Sequence, residues 1–320
     1  MNARPIPSVI LAPLAGGPST PELAAAVSNG GGLGFVAGGY LTPDELERRL
    51  AQARELTTGP LGVNLFVLED RPIDERALAA YANELVQEGV EVGEPRFDDD
   101  WLSEKIEVVL ASDVDVVSTT FGPPPAGLRD RGLAVWATVT SADDAQGLEV
   151  DAFVAQGIEA GGHRGAFDDA DTSDLLLLEL LRELRTATDL PLIAAGGIGD
   201  RETARRAREA GASAVQAGTA FLLCPEAGTH DVHRAAIRRG GRTALTRAFT
   251  GRRARGIENA FMRAHPDAPS AYPQIHHLTA PMRAAAREAK DAEHVNLWAG
   301  TAFEQTRDVP AAAVVAELAG

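Results

Sequence analysis

The chain has 320 residues, 45% of them hydrophobic and 24% charged, which is enough apolar material for a sizeable core. Its 46 acidic and 30 basic side chains leave a formal charge of −16, which argues against nucleic acid or an anionic membrane as partner, since both are polyanions. Cys224 is the only cysteine, so no intrachain disulfide can form, which fits a reducing cytoplasm; a small buried hydrophobe is its expected role.

In chain order, the opening M-N-A-R-P-I-P-S-V-I-L-A-P reads as an entry into a first strand, because prolines interrupt its short apolar run and no cleavage site of the usual kind follows. No apolar run approaches the ~20 residues needed to cross a bilayer. Apolar β-rich runs then alternate with Ala-, Arg- and Glu-rich stretches of helical spacing. Strands are expected at Val9 to Ala12, Gly34 to Ala37, Leu61 to Phe66, Val114 to Thr119, Ala134 to Val139, Ala152 to Gln156, Leu192 to Ala195 and Ala214 to Gln216. Helices are expected at Thr20 to Asn29, Thr42 to Leu56, Ile73 to Glu88, Asp100 to Leu110, Ser141 to Glu149, Asp174 to Thr186 and Asp200 to Ala210. Thr42, Ser141 and Asp200 stand where N-caps belong, their side-chain oxygens able to accept from the first turn. The strands are nearly unbroken apolar runs, as when both sheet faces are covered. The resulting fold class is α/β, a (β/α)8 TIM barrel, which holds ~250 residues plus insertions.

After Phe221 the alternation stops. Residues 225–296, rich in Arg, Ala, His and Pro, read as a smaller, mainly helical subdomain inserted after the eighth strand, forming part of the roof over a substrate cavity. Residues 1–224 make the barrel, and 297–320 complete it with a closing helix. The triplet D-D-D at 98–100 reads as a solvated helix start. G-G-G-L-G at 30–34 follows a helix rather than a strand, so it reads as a helix stop, not a dinucleotide fingerprint.

Chemistry in a barrel collects where strands end. Gly196 and Gly197 follow the seventh strand, and Gly218 and Thr219 follow the eighth. Glycines let backbone N–H groups converge, and loops in these places frequently hold a phosphate, with the Thr219 hydroxyl as a further donor. Asn64 and Gln156 are amides at the ends of otherwise apolar strands. A flavin's pyrimidine edge, alternating N–H and C=O, would satisfy them; hydrogen bonds to neighbouring loops are the alternative. E-A-G-G-H-R-G at 159–165 brings backbone close to something and presents one imidazole, His163, able to take a proton near neutral pH. Arg164 pairs either with a surface acid or with the ligand. His230, His233, His276 and His277 lack accompanying carboxylate or thiolate ligands, so no metal site is expected.

Taken together, P-L-A-G-G-P-S-T-P-E-L-A, G-V-N-L-F, F-G-P-P, E-A-G-G-H-R-G, A-A-G-G-I-G-D, Q-A-G-T-A-F-L-L-C-P-E-A and the later N-L-W-A-G resemble the nitronate monooxygenase family, formerly called 2-nitropropane dioxygenase. The resemblance implies a barrel with non-covalent FMN that oxidises alkyl nitronates, of the propionate 3-nitronate type and also nitroalkanes, with molecular oxygen to a carbonyl compound plus nitrite. By position it implies FMN contacts from Asn64, Gln156, Gly161, Gly162, Gly196, Gly197, Gln216, Ala217, Gly218 and Thr219. Pro13, Leu14 and Ala15 would line the flavin face. His163 would be the catalytic histidine, with nitronate oxygens near its ring. Leu14 stands where many relatives carry methionine, and Thr301 where they commonly carry glutamine, so the substrate pocket is less well defined by the resemblance than the flavin site. The partners implied are a small anionic nitronate and oxygen; a homodimer is one of the assemblies left open. An FMN- and NAD(P)H-dependent enoyl-thioester reductase shares the barrel and a G-G-H-x-G loop and is the nearest rival. A flavin-free isomerase or lyase on a phosphosugar is the more distant one, disfavoured because the strand ends lack lysine or paired carboxylates.

Overall fold

In the computed structural model, which describes residues 5–129, 132–170 and 173–320, the chain is a TIM barrel, and residues from 225–296 help to line the cavity at one mouth. The strands in chain order are β1 Val9–Leu11, β2 Gly34–Ala37, β3 Leu61–Phe66, β4 Val116–Thr120, β5 Ala134–Val139, β6 Ala152–Gln156, β7 Gly162–His163, β8 Leu192–Ala195, β9 Ala214–Ala217, β10 Thr243–Thr246 and β11 Ala254–Ile257. Eight of them form one parallel sheet in the order β1-β9-β8-β6-β5-β4-β3-β2. A parallel bridge between Ile10 and Leu33 brings β1 back beside β2 and rounds the sheet into a barrel.

The helices are α1 Pro21–Asn29, α2 Pro43–Leu56, α3 Glu75–Gln87, α4 Leu102–Ala111, α5 Ala142–Ala145, α6 Leu177–Ala187, α7 Arg201–Glu209, α8 Asp231–Arg239, α9 Ala260–Ala264, α10 Gln274–Leu278, α11 Ala280–Glu288 and α12 Ala311–Ala319. The expected caps form: Thr42, Ser141 and Asp200 accept from Glu45, Asp144 and Thr203 backbone N–H groups at 3.3, 3.1 and 2.8 Å. Gly30 ends α1 and the chain enters β2 at Gly34, as the glycine run suggested. Strand residues buried on both faces fill two layers. Ile10, Phe35, Trp136, Val154 and Ile193 pack inside the barrel, while Val9, Leu65, Val117 and Val215 meet the helices outside. Cys224 is fully buried among that outer layer. The C-terminal α12 adds Val314, Val315 and Leu318 to it.

Three expectations change. The helix expected over Ser141 to Glu149 is only the four residues of α5, because Gln146 turns extended and Gly147 takes φ +71°. The acidic triplet is not a solvated start: Asp100 is 4% exposed, accepts from Tyr40 N at 2.9 Å and forms an ion pair of 2.7 Å with Lys105, while Asp98 bonds His277 at 2.5 Å. Both Asp100 and Trp101 are left-handed (φ 59° and 52°), so the helix starts later, at Leu102. Finally, residues 225–296 carry a hairpin as well as helices. β10 and β11 pair antiparallel, and β11 pairs in turn with β7, opposite Ala254↔His163 and Arg255↔Gly162. The subdomain is thus tied by strand pairing to the loop that carries the histidine.

Candidate functional site

A cavity of about 400 Å³ opens at the C-terminal mouth of the barrel, within the ~300–1,000 Å³ usual for small-molecule sites. It is lined by His163 and by every cofactor-contacting residue named from the sequence: Pro13, Leu14, Ala15, Asn64, Gln156, Gly161, Gly162, Gly196, Gly197, Gln216, Ala217, Gly218 and Thr219. Strand ends place them. Asn64, Gln156 and Gln216 lie in the C-terminal halves of β3, β6 and β9, and the glycines follow β8 and β9.

At one end of the cavity, Gly196 and Gly197 take φ +115° and +66°, a conformation that only glycine adopts cheaply. The N–H groups of Gly197 and Gly218 have no backbone acceptor among the described residues, and the Thr219 hydroxyl accepts from Gly300 N at 3.0 Å, leaving its proton to donate. Three donors thus line one cavity, a set of groups that suits an anion. Gly161 makes a different demand. A Cβ there would lie 2.5 Å from Gly300 N, so the 159–165 loop meets the C-terminal segment at a distance only glycine allows.

The three amides divide into two kinds. Gln216 is 5% exposed, and its side chain has no hydrogen-bond partner among the described residues, so both its donor and its acceptor face the cavity. Asn64 gives its NH2 to Ser118 O, Ser118 Oγ and Thr120 Oγ1 at 3.2, 2.9 and 3.0 Å and keeps Oδ1 for the cavity. Gln156 is mostly spent inside the protein. Its Nε2 donates to His163 O (3.0 Å), and its Oε1 accepts from Gly165 N (2.8 Å) and Arg164 (3.1 Å). It organises the histidine loop and keeps one N–H for a ligand. Arg164 matches neither expectation: it is 4% exposed, its guanidinium donates to Gln156 O, Gln156 Oε1 and Gly157 O, and it neither pairs with a surface acid among the described residues nor lines the cavity itself.

His163 is gripped from several sides. Its backbone pairs with β11, and its ring lies against Phe121, Tyr272 and Trp298 with centroids 6.0, 5.4 and 5.5 Å away. Its Nε2 meets Thr250 Oγ1 at 2.9 Å. Burial, reinforced by the nearby Arg252 and Arg283 guanidinium groups, pushes the imidazole down to about 3, so it is neutral at physiological pH.

The rest of the cavity wall was not legible in the sequence. Tyr40 and Phe121 line it with left-handed backbones (φ 66° and 79°), a costly conformation for aromatic residues and one that clusters at functional sites. Tyr40 Oη lies 3.0 Å from Tyr272 Oη, and its ring stacks on His276 at 4.3 Å. Burial pushes the Tyr40 hydroxyl up to about 12 and raises Tyr272 as well, so both stay protonated; one hydroxyl donates to the other, and one proton is left to donate elsewhere. Arg283, 5% exposed, donates to Thr279 Oγ1 and His276 O but has no carboxylate partner among the described residues. Burial lowers it to about 10, which leaves it cationic at neutral pH. Arg252 stacks 4.2 Å over Phe121 and donates to Arg164 O and Ala166 O. The only sequence signal for this half was the adjacency of histidines at 276–277. The set comes from four separate segments, and spacing along the chain carries no trace of that.

Known proteins share this chain's family and fold. The family model described as nitronate monooxygenase matches residues 2–320. The nitronate monooxygenase of Pseudomonas aeruginosa is 38% identical over 335 residues, covering 97% of this chain and 94% of that protein. The crystal structure of a nitroalkane oxidase from Streptomyces ansochromogenes is 42% identical with a TM-score of 0.94, covering 99% of this chain and 96% of that one. FabK from Thermotoga maritima is more distant, 26% identical with a TM-score of 0.77, covering 97% and 91%. The whole-length family match, the identity to curated members and the shared barrel make this chain a member of the nitronate monooxygenase family, a family of flavin oxidoreductases.

Proposed function

We propose that the protein oxidises alkyl nitronates with molecular oxygen to a carbonyl compound plus nitrite, and that its flavin is FMN. One observation carries this reading: an unpartnered buried amide, a set of anion-facing donors and a neutral histidine line a single cavity. The residues present suit FMN. Gly196, Gly197, Gly218 and Thr219 would hold the phosphate, while Gln216, Asn64 Oδ1 and the remaining Gln156 N–H would meet the polar edge of the ring. Gly161 and Gly162 would let the ring approach backbone, and Pro13, Leu14, Ala15 and Ala217 would cover it. Bound there, FMN supplies the electron acceptor.

The chain's own groups then bind and orient substrate. Arg283, unbalanced by any carboxylate among the described residues, favours an anion in the cavity, and a nitronate that carries a carboxylate suits it best. Phe121, Tyr272 and Trp298 wall the histidine from water. For a neutral nitroalkane, His163 takes the α-proton as general base. The burial that keeps the imidazole neutral, reinforced by Arg252 and Arg283, also makes it a weaker base, which favours the preformed nitronate as substrate. We divide the chain into a barrel of residues 1–224 and 297–320 and a substrate-covering subdomain of 225–296. We assign it to the cytoplasm from its lone buried thiol. No helix among the described residues is long and apolar enough to cross a membrane.

The test is a visible spectrum of the purified protein followed by oxygen uptake on propionate 3-nitronate without nicotinamide. Flavin absorbance, FMN released on denaturation and nicotinamide-independent uptake are expected. Rapid NADH oxidation with an enoyl thioester, and no nitronate-dependent uptake, would transfer the assignment to the enoyl reductase chemistry of FabK.

A further inference from the structure

The ring nitrogens of His163 are not equivalent, and a hydroxyl outside the barrel makes them so. Thr250 sits in the turn between β10 and β11, is fully enclosed, and has two partners: His163 Nε2 at 2.9 Å and the carbonyl oxygen of Arg252 at 3.3 Å. A carbonyl oxygen only accepts, and a hydroxyl has one proton. Both contacts are hydrogen bonds only if that proton goes to Arg252 O and the Thr250 oxygen accepts from Nε2–H. Reversing the Thr250 hydroxyl would leave the Arg252 carbonyl without a donor among the described residues, at a cost typical of a buried unpaired acceptor. A neutral imidazole carries one N–H, so Nδ1 is bare. It has no hydrogen-bond partner among the described residues and belongs to a residue that lines the cavity.

We propose that Thr250 is a positioning residue that holds His163 in the Nε2–H tautomer, so that the ring presents the Nδ1 lone pair to the substrate and acts as a proton acceptor rather than a hydrogen-bond donor. This rests on the reading of the cavity as a nitronate and nitroalkane site. It separates the two substrates. A nitroalkane α-carbon gives its proton to Nδ1, the new N–H forms there, and the electron pair of the C–H bond passes into the nitro group to give the nitronate. A preformed nitronate has no such proton to lose, and its oxygens, being acceptors, find their donors at the cavity-lining Tyr40 hydroxyl and Arg283 instead. In this proposal the nitronate oxygens turn away from the imidazole, where the resemblance implies that they lie near it.

The experiment uses FMN-loaded protein with 15N-labelled histidine, with the His163 signals identified by their loss in His163→Asn. Long-range 1H–15N correlation is expected to show a protonated Nε2 and a bare Nδ1. Thr250→Val, which keeps the shape and removes the hydroxyl, is expected to abolish that preference. It should lower nitroalkane kcat by about 10²-fold, at the low end of what a general base contributes, while nitronate turnover and FMN content stay within about twofold. Thr250→Ser should restore the tautomer and the nitroalkane rate together. A wild-type spectrum with Nδ1–H, which needs no variant, overturns the proposal. So does a Thr250→Val enzyme with unchanged tautomer, or one whose losses on nitroalkane and nitronate are equal. If instead His163→Asn keeps full nitroalkane turnover, the general-base reading of the site fails, while the spectrum still decides what Thr250 does.

Discussion

At His163, burial beside two guanidinium groups sets the charge of the ring. An imidazole pushed down to about 3 is unprotonated throughout the range in which most enzymes are assayed. The profile of kcat/KM for a nitroalkane should therefore show no ionisation near ~6.5, the unperturbed histidine value. His163→Asn should lower nitroalkane turnover by ~10²–10⁴-fold and keep bound FMN; retained turnover would remove the residue from the mechanism. Arg283 has a separate duty. Replacing it with Gln should raise KM for a carboxylated nitronate by about tenfold with a smaller change in kcat, the loss of one charge-assisted hydrogen bond. A nitronate lacking the carboxylate should feel the change less. Gln156 shows why the residue scale needs geometry. Its position at a strand end is visible in the chain, but its partners, His163 O, Gly165 N and Arg164, make it a brace for the loop more than a ligand contact.

Among the elements, the short strand β7 matters out of proportion to its length. Two residues pair with β11, and that pairing joins the barrel's histidine loop to Thr250 and Arg252 in the subdomain. Helix α4 is anchored differently. Lys105, 1% exposed, reaches back to Asp100, whose carboxylate also holds the Tyr40 backbone at the cavity wall. Lys105→Ala leaves that carboxylate buried and unpaired and should cost about 3–5 kcal/mol in urea unfolding. A loss below about 1 kcal/mol would mean the pair is solvated, as surface pairs are. The cap of α7 is a smaller matter: Asp200→Ala removes one bond to Thr203 N and should cost ~1 kcal/mol.

For the molecule as a whole, neutral buried histidines give stability a pH dependence. Burial lowers His163 to about 3, His233 to about 4 and His276 well below its ordinary value. Each binds a proton more readily unfolded than folded, so its contribution is full above ~6.5 and declines as pH falls toward the folded value. Glu45, lowered to about 2 by Arg48 and Arg49, has the same sign at lower pH. Asp100, raised to about 6 by burial, opposes them over part of the window. The urea midpoint should fall between about pH 7 and about pH 4.5, and His233→Gln should flatten that slope; a midpoint that rises on acidification would mean the buried carboxyl dominates.

The order of apolar runs and helical stretches by itself determined the barrel, because each strand's two-sided burial and each cap are local facts written in consecutive residues. It also determined that the residues expected to face a cofactor line one cavity, since in this fold the last residues of a strand and the glycines after it are all brought to one mouth. What the sequence could not carry was the company those groups keep. Tyr40, Phe121, Thr250, Arg252, Tyr272, Arg283 and Trp298 come from loops and a subdomain far apart along the chain. The burial that neutralises His163, the hydroxyl that orients it and the guanidinium left without a carboxylate depend on distances across space. Only the folded chain brings those groups within hydrogen-bonding reach.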